Sequence, residues 1–497
     1  MTKIQFNQVY HIGLIRRFGP DAQDVSNLMF HSKHVKPASI FFSIKGENED
    51  GHRFIEEAIE NGAVVIVADD ESQLEKLRHH YPLCSLLLVE DVRKAMAYFS
   101  KHFFNNADEK LSTIGVTGTN GKTTVSFYVR SLLNLLGTPT GLIGTTGVWT
   151  SKGKMNYKKS TPTTPEAVDL HRIFTELDKH KDLAVSMEVS SIALDQKRVE
   201  GITFDVTIHT NFSEEHLEYH HTMEHYKKCK LKLFEQAKCA VINVDDEGMG
   251  QDILDSFNGP TIRYSLLGNS AADIIGTQLE VRKGGTKFNL VYLGEVYQAF
   301  APVHGAYNIS NVLAAIGANL LLGYSISEIL AVLPELQSPE GRFQVIHFPN
   351  HSRVILDYAH TPVALSRLVE EVKKLTYHRL IVMIAGVGIR DFNKIRKMAA
   401  IIEGEADEIV VTVDHPGYHA PQTIIDEMLA GFGNPYAENI HTAPNRKEGV
   451  QKSLVLGRSN DIVLLTGGCI NNAQIIQGKE IPHSDTDIIQ EHYLQSL

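Results

Sequence analysis

Short apolar runs alternate with stretches of helical period along this chain, and that rhythm predicts an architecture before any chemistry is considered. Near the start, Ser39 to Ser43 reads as a strand, Arg53 to Ile59 as a helix stopped by Asn61-Gly62, and Ala63 to Ala68 as a buried strand. A second unit opens near Leu111. Thr113 to Thr117 is a strand, a Gly-rich turn follows, and a helix runs from about Lys122 to Leu136. Further apolar strands at 183–189, 204–210 and 239–244 alternate with helical segments, which predicts a mostly parallel sheet. Residues 260–300 alternate polar and apolar positions between Gly turns, so this stretch reads as antiparallel. A helical pair over 308–333 closes the unit, with Gly323 as a helix stop and Ser325 to Glu328 as a capping box. Strands at 354–356, 380–385, 408–413 and 461–465 then form a second Rossmann-like sheet. The expected fold is α/β in three domains. These are a small N-terminal α/β domain over 1–110, a central P-loop ATPase domain with a mostly parallel sheet over 111–336, and a C-terminal Rossmann-like domain over 337–497.

The length of 497 residues agrees with about three domains. A formal net charge of −11 makes nucleic acid an unexpected partner. The most apolar stretch, Val312 to Leu333, is interrupted by Asn319, Gly323, Ser325 and Glu328, so two buried helices explain it better than a membrane span. The four cysteines, Cys84, Cys229, Cys239 and Cys469, form no CxxC pair, so neither a zinc site nor a dithiol motif is expected. Scattered cysteines and the lack of an apolar leader point to the cytoplasm.

The strongest chemical signal is Gly115-Val-Thr-Gly-Thr-Asn-Gly-Lys-Thr-Thr124, between a strand and a helix. Backbone N–H groups of such a turn and the helix N-terminus form an anion site for phosphates. Lys122 would neutralise the β/γ-phosphates and the Thr123 hydroxyl would ligate Mg²⁺. Gly118, Thr119, Asn120, Gly121 and Thr124 complete the loop. Val116 departs from the strict GxxxxGK[ST] pattern. Glu188, near the end of a buried strand, could reach that Mg²⁺, although alone it is equally well an ordinary strand-end acid. His216 lies in Thr210-Asn-Phe-Ser-Glu-Glu-His-Leu-Glu-Tyr-His220, directly after another strand. Lys230 shares one helix face with Tyr226 and Phe234, at i, i+4 and i+8, and a lysine on an apolar face needs a reason.

With Thr163-Thr164-Pro165 and Glu188-Val-Ser-Ser191, these segments together resemble the Mur ligases, and among them the MurE branch, over almost the whole chain. The resemblance implies an ATP-dependent ligase that adds an amino acid to a UDP-N-acetylmuramoyl-dipeptide through an acyl phosphate. It implies two Mg²⁺ ions and CO₂ as a carbamate on Lys230, with Thr123, Glu188 and His216 also near the metals. Thr163, Thr164 and Ser190 would hold the UDP-sugar peptide, with Gln196 and Arg198 on its anionic end and Ser32 left from the uridine motif. Asn308 and Asn311 would contact adenine, Arg342 the phosphates, and Asp357 and His360 the nucleotide. Arg390 would hold the amino acid's carboxylate, and Asp414 would also belong to the amino-acid pocket. The family's diaminopimelate motif reads Asp414-His-Pro-Gly417 here, and its side-chain acid is replaced by Asn471, so a diamino acid is not assured as substrate. A monomer with small-molecule substrates is expected. Rival readings are a related amide ligase acting on another carboxylate, a P-loop ATPase that is no ligase, and a degenerate nucleotide-binding protein.

Overall fold

The computed structural model describes residues 1–46, 49–157, 160–348, 352–388, 392–468 and 473–495. The chain divides into two compact units, one formed by 1–275 with 313–332 and the other by 276–312 with 333–497.

The first unit holds two main sheets. The smaller one orders Leu14–Phe18, Ser85–Val89, Ala63–Ala68, Ser39–Phe42 and Asn27–Met29, parallel except for the antiparallel pair at the Leu14–Phe18 edge. Ala63–Ala68 and Ser85–Val89 carry almost continuous apolar side chains because both faces are covered. The predicted helix here is Ile55–Glu60, and its first residues, Gly51–Phe54, form a 3-10 turn capped by Asp50.

In the larger sheet the order is Gly153–Lys154, Gly147–Thr150, Thr140–Gly144, Ala184–Glu188, Ser112–Thr117, Phe204–His209, Ala237–Asn243 and Thr261–Ser265. From Thr140–Gly144 onward every pairing is parallel. That includes Thr261–Ser265, which the alternation pattern assigned to an antiparallel region. The helix Gly250–Ser256 supplies a crossover before it, and a crossover delivers the next strand parallel. Antiparallel pairing marks the Gly147–Thr150 edge and, in the second unit, the hairpin Gly285–Tyr292 with Glu295–Ala301. The capping box forms as expected. Glu328 accepts from the Ser325 backbone at 2.8 Å, and Ser325 Oγ accepts from the Glu328 N–H at 3.3 Å.

The second unit carries a six-stranded sheet ordered Gln344–His347, Arg353–Asp357, Ile462–Thr466, Leu380–Val387, Glu408–Asp414 and Ile440–Thr442. All but its first pairing are parallel. Among the described residues, no helix is long and apolar enough to cross a membrane.

Candidate functional site

The strand Ser112–Thr117 lies between Ala184–Glu188 and Phe204–His209, so three strand ends bring their loops to one edge. Gly118 follows with φ of +149°, and a Cβ there would lie 1.9 Å from Thr210 Oγ1, so only glycine fits. Gly121, at φ of +87°, turns the chain into the helix Lys122–Leu135. The loop is braced from the neighbouring strand. Asn211 Oδ1 accepts from the Asn120 N–H at 2.9 Å, and Thr210 Oγ1 donates to the Asn120 carbonyl at 2.6 Å. Asn211 lies within the His216 motif, but its spacing alone gave it no role.

Two lysines converge on this loop. Lys122 Nζ donates to the carbonyls of Gly118 and Thr119, both at 2.9 Å. Lys230 Nζ, from the helix Met223–Glu235, donates to the same Gly118 carbonyl at 2.8 Å and lies 4.7 Å from the Tyr226 ring centroid. Tyr226, Lys230 and Phe234 are all buried, as the helical spacing predicts. Burial, reinforced by the Lys122 charge, pushes the Lys230 amine well below the ordinary lysine range. Tyr226 OH in turn meets Thr119 Oγ1 at 3.2 Å.

Beside the lysines stands an oxygen-rich pair. Thr123 Oγ1 donates to Glu188 Oε2 at 2.9 Å, and Glu188 also accepts from Thr145 through its N–H at 2.6 Å and its hydroxyl at 3.1 Å. Glu188 is 2% exposed. Gly144 makes room for it, since a Cβ there would sit 2.3 Å from Glu188 Oε1. Oxygen donors of this hardness suit Mg²⁺. His216 takes φ of +57°, and its ring lies 6.1 Å from Tyr226. Burial is the largest influence holding its imidazole below the usual histidine range.

The same edge gathers the peptide-binding candidates. Thr164 Oγ1 donates to the Glu188 carbonyl at 3.0 Å and lies 3.4 Å from Ser190 Oγ. Thr163 Oγ1 is 3.5 Å from Thr145 Oγ1. Arg198 donates to the Thr164 carbonyl at 2.9 Å and to Gln196 Oε1 at 2.6 Å, and pairs with Glu166 at 3.1 Å. Ser32 stands apart in the turn after Asn27–Met29, where its carbonyl accepts from Asn61.

In the second unit, Asp357 is buried and accepts from the N–H groups of Phe343 and Ala359 at 2.9 and 2.8 Å. Burial raises its carboxyl above the usual carboxylate range, and Arg342 opposes this. The Arg342 guanidinium lies 5.0 Å from the Tyr358 ring, whose neighbour is the His360 ring at 4.7 Å. Phe343 packs near His304 and Tyr307, next to Asn308 and Asn311, which contact each other at 3.4 Å. Asp414 is buried among protein partners. Gln474 donates to it at 2.8 Å, and Arg446 lies 3.8 Å away while forking onto Asp485. Arg390 and Asn471 fall outside the described residues.

Comparison with known proteins follows the same layout. A model described as "Mur ligase family, catalytic domain" matches residues 24–104, "Mur ligase middle domain" matches 116–319, and "Mur ligase, glutamate ligase domain" matches 341–469. The chain is 35% identical to UDP-N-acetylmuramoyl-L-alanyl-D-glutamate--2,6-diaminopimelate ligase 1 of Clostridium acetobutylicum, covering 94% of each chain. It is also 35% identical to the ligase of that activity from Geobacillus thermodenitrificans, covering 93% of each. A solved structure of a UDP-N-acetylmuramoyl-L-alanyl-D-glutamate--2,6-diaminopimelate ligase superposes with a TM-score of 0.70 at 27% identity, covering 100% of this chain and 99% of that one. MurF ligase from Thermotoga maritima, in complex with ADP, shares the fold at a TM-score of 0.63 and 16% identity over 95% of this chain and 99% of its own.

Proposed function

Because the chain belongs to the Mur ligase family, it is a ligase, and we propose that it joins an amino acid to the carboxylate of a UDP-N-acetylmuramoyl-dipeptide in peptidoglycan precursor synthesis. The observation that carries this reading is the single sheet edge that holds Lys122, Lys230, the Thr123–Glu188 pair and the Thr163–Thr164–Ser190–Arg198 cluster. A phosphate site alone would serve any ATPase. Here a polar cluster suited to an anionic peptide adjoins it directly.

A carboxylate is a poor electrophile. Its oxygen attacks the γ-phosphorus of ATP, the bond to the β-phosphate oxygen breaks, and ADP leaves. The resulting acyl phosphate is attacked by the incoming amine, the tetrahedral intermediate expels inorganic phosphate, and the amine loses its proton. Lys122 and Arg342 offset the phosphoryl charge in this scheme, and the loop N–H groups hold the phosphates in place. Thr123, Glu188, His216 and a carbamylated Lys230 would hold Mg²⁺, which supplies further charge neutralisation when bound. Carbamylation requires a neutral amine to attack CO₂, and the lowered affinity of Lys230 for a proton favours that form. Asn308 and Asn311 serve adenine, Asp357 and His360 the nucleotide, Ser32 the uridine and Arg390 the amino acid's α-carboxylate. We assign the substrate domain to 1–110, the ATPase domain to 111–336 and the amino-acid domain to 337–497. The enzyme acts in the cytoplasm as a monomer.

The test is phosphate release from ATP by the full chain, screened across amino acids with UDP-N-acetylmuramoyl-L-alanyl-D-glutamate and other carboxylate acceptors. Release that requires both an amino acid and the muramoyl dipeptide supports the reading. Release with neither, or only with an unrelated carboxylate, overturns it.

A further inference from the structure

Near Tyr226, whose ring centroid lies 5.1 Å from that of His220, four side chains with no part in the proposed chemistry meet. Cys229 Sγ lies 3.5 Å from His225 Nε2 and 3.4 Å from Asp195 Oδ1, and His225 Nε2 lies 3.6 Å from that same oxygen. A sulfur, an imidazole nitrogen and a carboxylate oxygen thus form a nearly equilateral triangle. In a tetrahedral zinc site, metal–ligand bonds of about 2.0–2.3 Å place the ligand atoms about 3.3–3.8 Å apart. The triangle already has those edges. One ligand atom from each of His220, His225 and Cys229 also lies within 4.8 Å of the other two, and His220 joins the cluster from the Nδ1 side of the His225 ring.

From this geometry we infer that His225, Cys229 and Asp195, with His220 beside them, form a binding site for a thiophilic divalent cation, zinc above all. The HxxxC spacing sets two ligands one turn apart on the helix Met223–Glu235, which puts them on one face. His220 Nε2 meets Ser191 Oγ at 2.9 Å, an outer-shell arrangement typical of metal-bound histidines, and its Nδ1 lies 3.3 Å from His225 Nδ1. Tyr219 OH donates to Asp195 Oδ2 at 3.0 Å and so leaves Oδ1 to face the sulfur. Lys232 Nζ lies 3.7 Å from the same Oδ1, so a cation bound there shares this oxygen with one lysine. Cys229 and His220 are buried, while His225 is 44% exposed and gives a cation a path from solvent. The mixed sulfur–nitrogen set selects against Mg²⁺, the metal suited to the neighbouring oxygen site. Binding is stoichiometrically simple: the thiol proton is released to solvent, and thiolate plus carboxylate balance the dication.

The absence of CxxC argued against zinc in the sequence. That criterion is blind to a His–Cys pair on a helix completed by residues from two preceding segments. The consequence of occupancy is mechanical. The cation ties the end of the short helix Ser191–Asp195, directly before Gln196 and Arg198, to the helix that bears Lys230.

The test needs no turnover, so its failure and a failure of the ligase reading are separable. The full chain, stripped with EDTA and dialysed, is titrated with Co²⁺. We expect one equivalent to give tetrahedral visible absorption with a thiolate-to-cobalt charge-transfer band, discharged by Zn²⁺ but not by Mg²⁺. Cys229→Ala and His225→Gln should each abolish the band and weaken Zn²⁺ binding by more than about 100-fold, above what the loss of an outer-shell partner costs. Cys239→Ala should leave both intact. His225 is exposed, so His225→Gln carries the test if Cys229→Ala fails to fold by circular dichroism. A cobalt spectrum without the thiolate band, a band that survives in either ligand variant, or Zn²⁺ affinity unchanged in His225→Gln overturns the site.

Discussion

Lys122 and Lys230, 108 positions apart in sequence, donate to one and the same carbonyl oxygen, that of Gly118, at 2.9 and 2.8 Å. Two charged amines at one oxygen would repel each other, and the buried Lys230 is the one shifted toward its neutral form. The arrangement is built for anions that bring negative charge between them.

The first prediction removes one of the two. Lys122→Ala should lower kcat/KM for ATP-dependent ligation by roughly 100- to 1,000-fold or more, the scale of losing one donor to transition-state charge. The fold should persist, because the change removes two side-chain hydrogen bonds to loop carbonyls and no core contact. Steady-state phosphate release and a melting curve on one preparation check both parts. Wild-type turnover would remove the phosphate-loop assignment.

Lys230 yields a second expectation. Native mass spectrometry under bicarbonate should show the added mass of one CO₂ on the wild-type chain and none on Lys230→Ala. That variant should be inactive, with part of the activity restored by millimolar acetate or bicarbonate standing in for the carbamate. An unmodified chain with full activity in CO₂-free buffer would defeat the idea.

Acid sensitivity provides a third. His171 is fully buried in the helix Ala167–Lys179, with Asp108 Oδ1 3.6 Å from its Nδ1, and burial lowers its pKa from 6.5 to about 3. The folded state therefore holds it neutral where the unfolded chain would protonate it. Its contribution to stability is complete above about pH 6.5 and is lost as pH falls toward 3. Asp108, whose carboxyl is raised by burial, titrates with the opposite slope, so a comparison isolates the histidine. Urea midpoints of wild type and His171→Leu should converge as pH falls from 7 to 4; a parallel decline would refute the assignment.

Much of this was legible in the chain, for identifiable reasons. Apolar runs bounded by Gly and Asn mark strands buried on both faces, so Ala63–Ala68 matched and Leu380–Val387 was foreseen to within two residues. Helical period puts Lys230 on the inward face beside Tyr226, and both are buried. Pairing direction was less legible, because alternation describes one strand and not its partner; the crossover helix Gly250–Ser256 decided the orientation of Thr261–Ser265. Partners distant in sequence were invisible too. Thr145 grips Glu188 and Tyr358 underlies Arg342, yet neither residue carries a local signal.

The last prediction concerns which amino acid is added. The matched relatives are named as 2,6-diaminopimelate ligases, yet we expect this chain not to prefer that substrate. In the family's motif a guanidinium grips the distal carboxylate by a two-pronged, charge-assisted bond. Gly417 stands at that position with φ of +61°, a conformation that favours glycine and offers no side chain. In the sequence, Asn471 replaces the acid of the family's motif, and a neutral amide loses the Coulomb attraction while the ammonium still bears its desolvation cost. Asp414 cannot readily make up the deficit, because Gln474 and Arg446 already engage its buried carboxylate. A small or neutral amino acid, or a shorter basic one such as ornithine or lysine, should therefore equal or exceed diaminopimelate in kcat/KM. Arg390 should still demand a free α-carboxylate, so amino-acid amides should fail throughout the series. The Gly417→Arg variant need not gain diaminopimelate activity, since its backbone would be strained. The decisive measurement is on the wild type. A tenfold or greater preference for diaminopimelate over every other amino acid tested would show that the pocket recognises both distal charges through groups other than these.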